Sequence, residues 1–231
     1  MKKLPFKLID LTHELRHEIP TWSGGCGFEH DLKQDYDLMA PYKFRTHKIY
    51  MEEGIGTHMD APAHCFVGGK NIQEISIQDF FAPCVILDIS PKIHPQYSLS
   101  TQDIKAFEDR FGKIQEGSFV MVYTGWEKFW HEPEKYRNNL MFPNVSSNAA
   151  ELLLERKIVG LGIDTLSPDR AEEGFPVHQL ILGAGRYIVE NVANAISMPS
   201  VGGYSLALPL KIRNGTESPI RLVGFVNAPE I

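Results

Sequence analysis

The sequence predicts an α/β fold: a single domain over residues 1–231, with a mixed sheet and flanking helices. Three observations predict it. Short apolar runs at 85–89, 118–123 and 158–164 are bounded by turn residues, the pattern of strands buried on both faces. Between them, stretches at 100–111 and about 146–157 carry capping residues and an apolar face, the pattern of helices. Strand and helix in alternation call for some parallel pairing. The stretch 201–231 reads instead as strands broken by Asn214-Gly215, a hairpin signal, which makes the sheet mixed. No repeat, low-complexity tract or linker divides the chain.

Residues 6–11 form the first predicted strand. Pro20-Thr21-Trp22-Ser23-Gly24-Gly25 then reads as a loop, and Trp22 suits either a packed surface turn or an aromatic cover over a pocket. Residues 31–42 are polar and irregular, which predicts a mobile connection. Residues 44–51 alternate and lead, strand-like, into a histidine-rich segment. In the first helix Ser100 caps with Asp103 three residues on, and Ile104, Phe107 and Phe111 share a face. In the second Ser147 caps, and Leu152, Leu153 and Leu154 turn to the core. The strand at 158–164 ends in Asp164, which suits either a turn-forming residue or one that orients loop groups by accepting backbone N–H bonds. A short helix follows at 176–182, with Pro176 at its start and Gly183 at its end, then a strand-like run at 187–192.

The totals exclude several classes. A net charge of −6 and a pI near 5.8 argue against a general nucleic-acid binder. No apolar run reaches the ~18 residues of a membrane span. Lys2, Lys3 and Lys7 around Pro5 leave no apolar core of the signal-peptide kind. Three cysteines without a C-x-x-C pair point to a reducing, cytoplasmic setting.

The chemistry concentrates in Gly56-Thr57-His58-Met59-Asp60-Ala61-Pro62-Ala63-His64. His58 and Asp60 are two apart and share a side of an extended segment. Pro62 stops any helix and turns the chain, so that His64 swings back towards the same point. Two imidazoles and a carboxylate suit Zn²⁺, Mn²⁺ or Fe²⁺ better than Ca²⁺. Glu52 and Glu53, just before, read as solvated charge. His178 lies among apolar neighbours and, taken alone, reads as structural. Glu190 closes an apolar run, where a carboxylate is costly unless paired or metal-bound. No Gly-x-Ser-x-Gly elbow is present, which disfavours acyl-enzyme chemistry.

The segment 54–64 resembles the signature His-x-Gly-Thr-His-x-Asp-x-Pro-x-His of the cyclase-like metal-dependent hydrolases. That family includes isatin hydrolase and the bacterial kynurenine formamidase of tryptophan catabolism. Every fixed position matches except the first, where Gly54 stands in place of His. Looser likeness extends over 19–25, where the family's Trp-Pro-Gly is Trp22-Ser23-Gly24, and over 160–192. There a Pro-x-His-x-x-Leu-like segment and an acid twelve residues later correspond to His178 and Glu190.

The resemblance implies an α/β fold of the swivelling β/β/α kind, assembled as a homodimer or homotetramer, acting on a small-molecule substrate. It implies His58, Asp60, His64 and Glu190 as ligands of a divalent metal, Zn or Mn. It makes His178 the general base and Trp22 a cover over the substrate. Such a metal lowers the pKa of water to about 7 and polarises a carbonyl, which suits hydrolysis of an arylformamide or lactam. The rival readings are a metal- and ligand-binding homologue with little activity, and a cyclase or lactone-acting relative. Gly54 brings no donor, and in an extended segment the adjacent Glu53 points to the opposite side, although it remains the candidate compensating ligand. Four donors and a water fill one site, so the expectation is one ion per chain.

Overall fold

In the computed structural model, residues 5–36 and 41–228 are described. The strands are β1 (Phe6–Asp10), β2 (Phe28–Gln34), β3 (Thr46–Met51), β4 (His58–Asp60), β5 (Phe81–Asp88), β6 (Ser98–Leu99), β7 (Phe119–Tyr123), β8 (Asn144–Val145), β9 (Gly160–Ile163), β10 (Tyr187–Glu190), β11 (Gly203–Pro209) and β12 (Glu217–Asn227). The α-helices are α1 (Thr101–Phe111), α2 (Pro133–Arg137), α3 (Ser147–Glu155) and α4 (Pro176–Gly183).

The main sheet runs β1-β12-β11-β5-β7-β9-β10-β4 and closes on itself, because β4 also pairs with β12. The long last strand allows this. One edge of β12 takes β11; the other takes β4 at Glu217–Pro219 and β1 at Val223–Asn227. Neighbours among β5, β7, β9 and β10 pair in parallel, and the remaining pairs are antiparallel. The fold is thus a single α/β domain whose mixed sheet forms a barrel with few flanking helices.

Strand alternation sorts side chains into two cores. Cys84, Ile86, Phe119, Met121, Tyr187, Val189, Met59 and Leu222 fill the barrel. Val85, Leu87, Val120, Val122, Leu161, Ile163 and Ile188 face outward and are covered by Ile104 of α1, Leu153 of α3 and Val177 and Ile181 of α4. Burial on both faces is why these strands read as unbroken apolar runs. Gly160 is a packing choice: a Cβ there would lie 2.3 Å from the Tyr187 ring, which stacks on Phe119 at 5.7 Å. A third cluster of Ile19, Phe28, Ile55, Trp126, Trp130, Tyr136, Phe142 and Leu166 packs under the loops at the rim of the barrel.

Helix α1 begins as expected, with Ser100 and Asp103 in a reciprocal capping box. Helix α3 differs: Ser146, not Ser147, is the cap, and its side chain accepts the Ala149 N–H. The irregular connection expected over 31–42 is a strand as far as Gln34, because β2 pairs antiparallel with β3 and satisfies its backbone there. Residues 37–40 of that stretch, and 229–231 of the tail, lie outside the described residues. Among the described residues no helix is long and apolar enough to cross a membrane.

Candidate metal centre

The centre lies on the outer face of three neighbouring strands. In β4, Met59 points into the barrel, so His58 and Asp60 point out. Register then adds two carboxylates, because residues directly opposite across a ladder share a face. Glu190 of β10 stands opposite His58, and Glu217 of β12 stands opposite Asp60. Helix α4 lowers His178 onto the same face.

The segment entering β4 is clamped from several sides. Gly56 has φ +63°, where a side chain would be strained and its Cβ would meet the Leu15 side chain at 2.4 Å, which favours glycine. Its carbonyl accepts His58 Nδ1–H at 2.9 Å and Asn191 Nδ2–H at 2.8 Å. The Thr57 hydroxyl donates to the Asn191 carbonyl at 2.6 Å and accepts the His13 N–H at 2.9 Å. With Nδ1 committed as a donor, His58 turns Nε2 to the centre.

The same logic fixes His178. Asp169, fully buried, accepts the Val177 and His178 N–H groups at the start of α4, at 2.9 and 2.8 Å. Its Oδ2 also takes His178 Nδ1–H at 2.8 Å. Carboxylate–histidine pairs of this kind present the second ring nitrogen to a metal.

The donor atoms converge on Asp60. His58 Nε2 lies 3.4 Å from Asp60 Oδ1 and 3.4 Å from Glu190 Oε2. His178 Nε2 lies 3.5 Å from Asp60 Oδ2 and 3.4 Å from Glu190 Oε1. Two overlapping sets of three donors, each within 4.8 Å of one another, result: His58, Asp60 and Glu217; and Asp60, His178 and Glu190. Asp60 is 1 % exposed, yet neither of its oxygens has a hydrogen-bond partner among the described residues. A buried carboxylate is costly unless hydrogen-bonded, paired or metal-bound. Separations of 3.4–3.5 Å to both imidazoles, too long for good hydrogen bonds, are those of ligands around a shared cation. The residues therefore fit a divalent metal.

Electrostatics agree. Burial pulls the His58 pKa down, but the carboxylates of Glu190, Asp60 and Glu217 outweigh it and lift the value to about 10. His178 is also raised, well above the usual imidazole range: burial opposes, and Asp169, Asp60 and Glu190 prevail. Burial pushes Glu190 up, but His178 and His58 hold it below the usual carboxylate range. A cation binds neutral imidazole, so metal uptake here releases protons.

Above the centre is a cavity of about 510 Å³, with Trp22, Gly54, His64, Phe175, Gln179 and Glu217 in its wall. His64, on the 3₁₀ turn Pro62–His64, has a side chain 35 % exposed. Its Nδ1 is 3.1 Å from Glu217 Oε2, a contact that raises its pKa against the opposing effect of burial. Trp22 sits at the mouth, 5.7 Å from the Phe175 ring and 6.4 Å from Phe142, with its carbonyl accepting Arg137 Nε–H.

The structure places the remaining sequence candidates as follows. His178, expected as a base, has Nδ1 on Asp169 and Nε2 beside Asp60 and Glu190 in the buried cluster. His64, read as a ligand, belongs to neither three-donor set and faces the cavity. Glu53 does not reach the donors: its Oε2 accepts the Thr216 and Glu217 N–H groups at 3.0 and 3.4 Å. Sequence reasoning missed Glu217 and Asp169. The only trace of Glu217 is an acid heading a largely apolar strand, and Asp169, in the loop after the strand at 158–164, gave no signal of its own.

Barrel and donor cluster together fit a metal-dependent enzyme. A family model described as a putative cyclase matches residues 9–170, and the chain belongs to that family. It is 31 % identical over 208 residues to an isatin hydrolase of Roseibium aggregatum, covering 83 % of this chain and 78 % of that protein. It is 26 % identical over 218 residues to a kynurenine formamidase of Bacillus cereus, covering 93 % and 95 % of the two chains. A solved isatin hydrolase bound to the product analogue thioisatinate superposes with a TM-score of 0.89 at 28 % identity, over 97 % of this chain and 94 % of that one.

Proposed function

We propose that this metal-dependent hydrolase, which acts on C–N bonds other than peptide bonds, cleaves a small aromatic amide, an arylformamide or a lactam. The observation that carries the reading is Asp60: buried, without a hydrogen bond among the described residues, and flanked by two imidazoles whose Nε2 atoms face it beneath an aromatic-walled cavity. Asp60, His178 and Glu190, with His58 beside them, would hold the metal, Zn²⁺ or Mn²⁺. When bound, the ion supplies Lewis acidity, activating water and polarising the substrate carbonyl.

The chain's own groups do the rest. His64 takes the proton from the attacking water as oxygen joins the carbonyl carbon, then returns it to the nitrogen as the C–N bond breaks. The products are a carboxylic acid and an amine, joined in one molecule when the substrate is a lactam. Trp22 and Phe175, packed against each other, form an aromatic wall on which a planar ring lies and which excludes water. Glu52, Glu53, Glu190 and Glu217 line the cavity, and no Lys or Arg is among its described lining residues, which favours a neutral or cationic substrate. The exposed Leu32, Ile49, Tyr50 and Met51 on the β2–β3 ribbon support a homo-oligomer, dimer or tetramer, that covers them. Cys26, Cys65 and Cys84 are unpaired, consistent with a reducing cytoplasm.

The deciding test is turnover of a panel of N-formylanilines, isatins and aryl lactones by the metal-free and the Mn²⁺- or Zn²⁺-loaded protein. Metal-dependent cleavage of an amide supports the proposal. Cleavage of lactones alone, or binding without turnover, sinks it. Trp22→Ala is expected to raise KM for the best aryl substrate about tenfold, the loss of roughly one aromatic contact, with metal content unchanged. An unaltered KM removes Trp22 from the substrate site.

A further inference from the structure

The position that departs from the family signature lies against the acid that sequence reasoning missed. A Cβ built on Gly54 would sit 2.1 Å from Glu217 Oε1 and 3.1 Å from Glu217 Cδ. The next atom is His58 Nε2, at 3.5 Å, an ordinary contact. The carboxylate of Glu217 therefore fills the space that a side chain at position 54 would enter.

Resting on the metal-dependent reading above, we propose that Glu217 is a metal ligand that replaces the signature's first histidine. Entering from β12 through the space left by Gly54, it completes a second cation position with His58 and Asp60. The chain then holds two ions that share Asp60, rather than the single ion expected from four donors.

Three observations carry this. Glu217 Oε1 stands 4.0 Å from His58 Nε2, and Asp60 Oδ1 is 3.4 Å from the same nitrogen, so the three donors face one point. Asp60 offers two unpartnered buried oxygens, one towards each set. The backbone at Glu217 is fixed twice, by the ladder to Asp60 and by Glu53 Oε2 on the Thr216 and Glu217 N–H groups. Glu53 is thus a positioning residue for its replacement as ligand. The exchange is one donor for one donor, a carboxylate for an imidazole, which makes the second position harder and more oxygen-rich.

The test is a titration of the metal-free protein with Mn²⁺ alone, with ions per chain read by elemental analysis and calorimetry. Near-UV circular dichroism checks the fold. Wild type is expected to take up two equivalents. Glu217→Ala and Glu217→Gln should each lose one, or bind it more than ~10²-fold more weakly, beyond the usual effect of an outer-sphere partner. The double variant Gly54→His/Glu217→Ala should recover the second equivalent, because the new histidine enters the space that the carboxylate vacates. A merely structural glutamate would not be rescued from position 54. Two equivalents at wild-type affinity in a folded Glu217→Ala or Glu217→Gln protein overturn the proposal. So does a wild type that binds only one ion, which leaves the hydrolase reading standing. A wild type that binds none overturns both.

Discussion

Asp60→Asn is expected to leave the purified protein nearly metal-free and to lower kcat/KM by at least ~10³-fold. The size follows from position. Asp60 is the one residue common to both donor sets. Its loss removes an anionic ligand from each, together with the activated water and the polarised carbonyl that the metal supplies. The fold should survive, because neither hydrophobic core includes Asp60. Thermal unfolding separates the two effects. Metal-free variant and metal-free wild type should melt at similar temperatures. Excess Mn²⁺ should raise the wild-type midpoint, by linkage worth about 4 kcal/mol at a thousandfold excess over Kd, and leave the variant unmoved. A variant with wild-type metal content would show that the ion lies elsewhere.

His64→Ala and His178→Ala should fail in different ways, and the difference tests the assignment of roles. His64 faces the cavity, so its loss should lower kcat ~10²–10⁴-fold while the Asp60–His178–Glu190 metal stays bound. The acid limb of the pH–rate profile should go with it, since the proton acceptor is gone. His178 has its Nδ1 on Asp169 and its Nε2 among carboxylates, so its loss should cost metal first and activity as a consequence. Measuring ions per chain beside kcat decides the matter. Full metal with normal turnover in His64→Ala, or full metal with slow turnover in His178→Ala, would return His178 to the role of base.

The sequence was informative where chemistry and geometry are both local. His58 and Asp60 share a face because they are two apart in a strand, and Pro62 turns the chain so that His64 meets the cavity. The parallel strands β5, β7 and β9 were readable because burial on both faces leaves only apolar residues. Ser100 and Asp103 marked a helix start for the same reason of locality. What could not be read depends on register. Glu217 reaches the centre only because β12 pairs with β4 at Asp60, across more than 150 residues of chain, and no spacing rule encodes that. The role of His178 turned on Asp169: a carboxylate on Nδ1 directs Nε2 inward, which the spacing of His178 and Glu190 leaves open. Residues 31–34 are polar apart from Leu32 because β2 is an exposed ribbon strand, and polarity was mistaken for irregularity.

The way the barrel closes has a consequence for how the protein assembles. His58–Asp60 meets Glu217–Pro219 only when the last strand seals the ring, so the two carboxylates facing each other across that seam are brought together across more than 150 residues of chain. Contacts of that range are slow to form, because a long loop must be closed before they repay its entropy. If the proposed His58–Asp60–Glu217 set holds a cation, that cation would bridge the closing joint, and its expected effect is to slow the ring's opening more than to hasten its formation.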